Sequence, residues 1–156
     1  FYYSAYAGDP ARVGGAWTVS GMYANGAVGL AKLRRDGFAS LQARFPGATA
    51  TTRPLTFRGG RLFVNADTAG APLAVECLGE DNRPLPGFGK ADCEPYCGNA
   101  TCAEIRWRGG AVLGALAGRP VRFRFHLDRG DLYAFWVTDS PQGESGGPRG
   151  AGGPGF

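Results

Sequence analysis

The chain has a single histidine, a single methionine and only four cysteines. One histidine, His126, stands apart from the cysteines and from any serine–acid pair, so neither a Ser/His/Asp nor a Cys/His set is visible. There is no phosphate-cradling glycine loop and no other cofactor motif. No apolar run approaches the roughly 18 residues a membrane-spanning helix needs, so no membrane span is expected. Lys/Arg blocks are missing, which argues against nucleic acid as a partner. The opening Phe1-Tyr-Tyr-Ser-Ala-Tyr6 lacks the charged start and cleavage site of a signal peptide. It reads as the end of a strand belonging to a longer protein. Long helical periodicity is also missing.

What is present is apolar, aromatic and turn-rich. Hydrophobic residues make up 44% and aromatics 12% of 156 residues, enough for one domain with a real core. Gly at 27 and Pro at 11 argue against a helical protein. Seventeen basic against 13 acidic residues leave a formal charge of +4. The surplus is mostly arginine interleaved with apolar residues, as on a solvated strand face.

Short strands separated by Gly- or Pro-marked turns recur along the chain. Val28–Arg34 and Phe38–Ala43 flank Arg35-Asp36-Gly37, and Asp-Gly favours a tight hairpin. Further strands are expected over Thr49–Phe57, Arg61–Asp67, Pro72–Leu78, Ala103–Arg108 and Leu132–Thr138, with a short helical turn in Ala111–Ala117. Val121–Asp128 has the cleanest alternation. Val121, Phe123, Phe125 and Leu127 face one way, and Arg122, Arg124, His126 and Asp128 the other. Leu132–Thr138 is apolar on both faces and reads as a central strand. About eight strands without a long helix predict an all-β fold, an antiparallel β-sandwich of jelly-roll type. Residues 1–25 read as the end of a preceding domain plus a connector, 26–139 as the sandwich, and 140–156 as a disordered Gly/Pro-rich tail.

Cys77, Cys93, Cys97 and Cys102 lie close in sequence, and the last three bracket Asn99-Ala100-Thr101, an N-glycosylation acceptor. The pattern suggests an exposed loop stapled by disulfides in a secreted protein. Free thiols are one alternative. A zinc site is another, against which stand loose spacings and no nearby histidine, and no metal is expected. Of the three possible pairings, Cys77–Cys93 with Cys97–Cys102 is favoured.

Two groups are candidate contact surfaces. Tyr2, Tyr3, Tyr6, Trp17 and Tyr23 could stack on sugar rings, or pack against a neighbouring domain. Arg122, Arg124 and His126, with Arg106 and Arg108 as candidate neighbours, could meet an acidic glycan or form an ordinary wet sheet face. Phe123, Phe125, Phe135 and Trp136 are expected in the core.

From about Gly26 to Thr138 the chain resembles a known module. The residues concerned are Val28-Gly-Leu-Ala-Lys-Leu-Arg-Arg-Asp-Gly-Phe-Ala-Ser-Leu41, Thr52-Arg-Pro-Leu-Thr-Phe57, Leu62-Phe-Val-Asn-Ala-Asp67, Leu73-Ala-Val-Glu76, Pro84-Leu-Pro-Gly-Phe88, Trp107 and Leu132-Tyr-Ala-Phe135. In this order they are similar to the C-terminal β-sandwich that follows the five-bladed propeller of invertase- and levanase-type proteins, glycoside hydrolase family thirty-two. The resemblance implies a non-catalytic accessory domain of a secreted protein, with the adjacent propeller as partner and carbohydrate as a further contact. It implies that the chemistry belongs to the propeller. Here Asn-Asp-Pro is missing, and Arg35-Asp36 is followed by Gly37 rather than proline. Asp36 then reads as a turn residue, and Glu76 as a solvent-facing strand residue. The competing reading is a free-standing extracellular carbohydrate-binding or adhesive domain.

Overall fold

The computed structural model describes residues 1–9, 11 and 23–145. Trp17 and residues 146–156 lie outside them. The chain divides into two compact units, Phe1–Arg34 and Arg35–Phe156.

The first unit is a two-stranded antiparallel ribbon. β1 (Tyr2–Tyr6) pairs with β2 (Gly26–Leu30), with Tyr2 opposite Leu30 and Tyr6 opposite Gly26. The hairpin expected around Asp36-Gly37 is therefore not formed. Asp36 does adopt a turn conformation, with φ of 49°. However, the run before it pairs with the N-terminus, and the run after it pairs with the last strand of the chain.

Among the described residues, the second unit is an antiparallel sandwich of seven strands. One sheet has the order β3-β9-β5-β7, from β3 (Leu41–Ala43), β9 (Gly130–Thr138), β5 (Arg61–Asp67) and β7 (Asn99–Ile105). The other is β4-β8-β6, from β4 (Thr49–Thr51), β8 (Arg122–Leu127) and β6 (Leu73–Leu78). The all-β sandwich is as expected, and β9 is central as its two apolar faces require. The 3-10 turn Leu113–Leu116 buries both its leucines.

Alternation explains the core. Phe123, Phe125 and Leu127 of β8 point inward, with Leu73, Val75 and Cys77 of β6 and Leu62, Val64 and Ala66 of β5. Phe135 packs against this cluster from β9, 5.0 Å from the Phe125 ring. Trp136 does not join it. It points outward and stacks on Phe63 at 5.9 Å.

That outer face of the four-stranded sheet is covered. Trp136 donates its indole N–H to the Gly143 carbonyl at 2.9 Å, and Thr138 Oγ1 donates to the Glu144 carbonyl at 2.8 Å. The stretch 140–145, expected to be part of a disordered tail, is thus a strap. On the same face the Asn65 side chain, buried on β5, donates to the Arg35 carbonyl at 2.6 Å.

The sandwich edge at β6 is satisfied by an unusual set of groups. β8 covers only one side of β6. On the other side Leu73 exchanges both backbone bonds with Tyr96, and Cys77 bonds the Phe88 carbonyl and the Leu85 N–H. Between them the Val75 N–H donates to Cys93 Sγ at 3.3 Å, while its carbonyl accepts from the Trp107 indole at 2.9 Å. A buried edge left unpaired would cost about 1–3 kcal/mol for each orphaned group, and here side chains replace the missing strand.

Candidate functional site

The tyrosine ribbon presents three exposed rings, Tyr2, Tyr3 and Tyr6. Strand alternation puts Tyr2, Ser4 and Tyr6 on one face and Tyr3 and Ala5 on the other. Tyr3 pairs across the ribbon with Gly29, and Tyr6 with Gly26. Each ring lies across its glycine, where a Cβ would collide with it. The glycine leaves a flat seat, and the ring shields the bare backbone. Tyr3 remains 55% exposed and Tyr2 82%. Tyr6 also meets Tyr23 edge-on at 5.2 Å. The shared three-residue spacing of Tyr3/Tyr6 and Gly26/Gly29 carries this pairing in the sequence, although composition alone does not show it.

Arg122, Arg124 and His126 share the outer face of the three-stranded sheet, half-buried in alternation with the core residues. Glu76, from β6, lies among them. It is only 5% exposed, contrary to the expectation that it faces solvent. A buried carboxylate needs partners. Glu76 Oε1 accepts from Arg124 Nη1 at 3.0 Å and meets His126 Nε2 at 3.1 Å. Arg124 Nε also donates to Thr51 Oγ1, and Arg122 Nη1 donates to the Thr52 carbonyl. These groups are engaged in holding β4, β6 and β8 together. The face is a bonded ion cluster in which the Arg124 guanidinium and the His126 ring meet one buried carboxylate. Arg122 Nε is buried without an acceptor among the described residues.

Arg106 and Arg108 are not neighbours of this face. They follow β7, in the other sheet, where Arg106 and Arg61 both bond Glu104. Burial alone would raise the Glu104 carboxyl, but the two guanidiniums outweigh it and hold it below the usual carboxylate range. Asp36 lines a hollow with Trp136 and Cys102 over the outer face of the four-stranded sheet. Asp36 and Glu76 therefore stand on opposite outer faces of a sandwich whose sheets are about 10 Å apart. A glycosidase pair needs its carboxyls roughly 5–10 Å apart across one bond, so these two do not form one.

The four cysteines are free thiols in the structure, and neither favoured disulfide is present. Cys97 lies just before β7 and Cys102 within it, and both are exposed. Cys102 instead points its thiol at the Gln142 carbonyl, 3.7 Å away. Cys77 and Cys93 are both buried, and the Cys93 sulfur is taken up as acceptor for Val75. Burial first, then the nearby charges of Cys93 and Glu76, push the Cys77 thiol far above its ordinary value. Burial likewise raises Cys93, against the opposing Val75 bond. Such thiols are poor nucleophiles. Among the described residues no three His, Cys, Asp or Glu side chains gather into a metal-sized cluster.

Asn99 is exposed on β7, an edge strand, and its amide donates to Asp67 Oδ2 at 2.7 Å. The acceptor sequence thus lies on a strand and not in the loop before it. No helix among the described residues is long and apolar enough to cross a membrane. No known protein family, no curated protein and no solved structure matches this chain.

Proposed function

We propose that this chain is a non-catalytic accessory β-sandwich of a secreted, glycoside hydrolase-like protein, and that its tyrosine ribbon contacts carbohydrate. The observation that carries the glycan contact is the seating of Tyr3 across Gly29, which leaves much of the ring exposed. Apolar sugar faces pack well on such rings. The glycoside hydrolase connection rests on the sequence resemblance alone. The exposed acceptor Asn99-Ala100-Thr101 is consistent with secretion.

The test is affinity electrophoresis of the chain through gels containing levan, inulin or arabinan. Retardation by at least one polymer is expected. Tyr3→Ala should weaken it by about 0.5–1.5 kcal/mol, roughly two- to tenfold. Unchanged mobility in every gel, or retardation indifferent to Tyr3→Ala, sinks the glycan contact.

A second reading has its own support. Every residue of β1 is exposed, and a two-stranded ribbon is marginal in water by itself. The same rings would then be the packing surface for an adjacent domain of the parent chain, a propeller on the resemblance above.

A further inference from the structure

Among the described residues, the two sheets are closed on one side and open on the other. On the β6 side, Trp107 and the segment around Cys93 bridge the edge. On the opposite side, where β3 and β4 are the edge strands, a cleft of about 510 Å³ runs between the sheets. It continues into a smaller hollow of about 180 Å³ beside Ala43 and Leu127. Phe125 and Phe135 form its floor, with Leu41, Ala50 and Leu132 on its walls. No charged side chain lines the larger space.

Unused backbone borders this cleft. Ala48 accepts from the Leu127 N–H, and the Thr52 N–H donates to Phe123. In an antiparallel ladder the backbone groups alternate between the two sides. Ala48, Ala50 and Thr52 therefore face β8, and Thr49 and Thr51 direct their N–H and C=O groups to the free edge. On the far wall, the register of β9 against β5 shifts at Tyr133, and β3 pairs with β9 only as far as Leu132. A bulge beside an edge ends pairing in this way. The three-stranded sheet thus has room for a fourth strand beside the apolar lining of the cleft.

We propose that this cleft receives an extended peptide segment from a partner protein, which adds to β4 as a fourth strand. Its backbone pairs with Thr49 and Thr51, and alternate apolar side chains descend onto Phe125 and Phe135. Charge selects the other face of the segment. Arg122 and Arg124 both lean towards β4 and are opposed on that sheet face by Glu76, with Asp128 committed to the Gly47 N–H at the far end. Outward residues of the segment are therefore acidic. The lining of the cleft comes from the sandwich alone, and the proposal stands or falls independently of the glycan reading.

The probe is a blocked heptapeptide alternating valine and glutamate, added to the full chain and followed by amide hydrogen exchange in NMR. Thr49 and Thr51 amides should exchange at least tenfold more slowly with peptide bound. A valine–lysine peptide should bind at least fivefold more weakly. Ala50→Trp, which fills the cleft, should abolish binding, whereas Thr51→Ala, which keeps the backbone, should retain it. The valine–lysine comparison and Thr51→Ala decide the matter even if Ala50→Trp does not fold. Failure to protect Thr49 and Thr51 overturns the proposal. So do shifts at Phe125 and Phe135 without that protection, which would mark a small apolar ligand. Protection that grows with protein concentration alone would mean pairing between copies, and also overturns it.

Discussion

Trp107 spans two roles that are usually held by different residues. Its ring packs edge-on to Phe88 at 5.3 Å, and its N–H satisfies the Val75 carbonyl on the edge of β6. Phenylalanine would keep most of the packing and lose the donor. Trp107→Phe should therefore destabilise the fold by about 1–3 kcal/mol, the cost of a buried orphaned carbonyl. Urea unfolding would show a lower midpoint with an unchanged slope. A loss below about 0.5 kcal/mol would mean that water reaches Val75 after all. Alternation already marks Trp107 as inward-facing in the sequence, but nothing local reveals that its partner is a carbonyl of a distant edge strand. Cys93 is similar. Its sequence neighbours suggest a disulfide, and only the course of β6 shows the sulfur as a backbone acceptor.

Strands were legible where each carries its own inward-facing set. Arg61–Asp67 is observed with the expected bounds, and Phe123, Phe125 and Leu127 are buried while Arg122, Arg124 and His126 are not. Pairing was less legible, because a turn signal states where the chain bends and not which strands meet. Asp36 bends the chain as Asp-Gly predicts, yet Phe38 stays 79% exposed and β3 finds its partner in β9. The strap after β9 was missed because its residues are low in complexity. Its hold comes from the Gly143 and Glu144 backbone carbonyls, which accept from Trp136 and Thr138. Gly143 is the position that decides this element. It has φ of 74°, is buried, and is seated so closely that a Cβ would strike Cys102 and the Phe63 ring. Gly143→Ala should lift the strap while leaving the sandwich folded. Trp136 emission should shift to the red, and the Cys102 thiol should react faster with a disulfide reagent. Unaltered emission and reactivity would show that the strap tolerates a side chain there.

At the scale of the molecule, the two units differ in what holds them. Among the described residues every buried apolar side chain lies at or after Ala43, so the sandwich carries its own core. The ribbon of β1 and β2 is held by cross-strand bonds and by tyrosines on glycines, with Val28 and Leu30 still exposed. A chain beginning at Arg35 should thus keep a dispersed amide spectrum and unfold cooperatively, with a midpoint within a few degrees of the full chain. A peptide of residues 1–34 should show no persistent strand signal in water. Collapse of the spectrum in the shortened chain would make the ribbon a structural part of the sandwich. It would then move Tyr2, Tyr3 and Tyr6 from the contact surface to the fold. Retained folding together with lost retardation in glycan gels would place the carbohydrate contact on the ribbon, because the sandwich would be intact and only the rings removed.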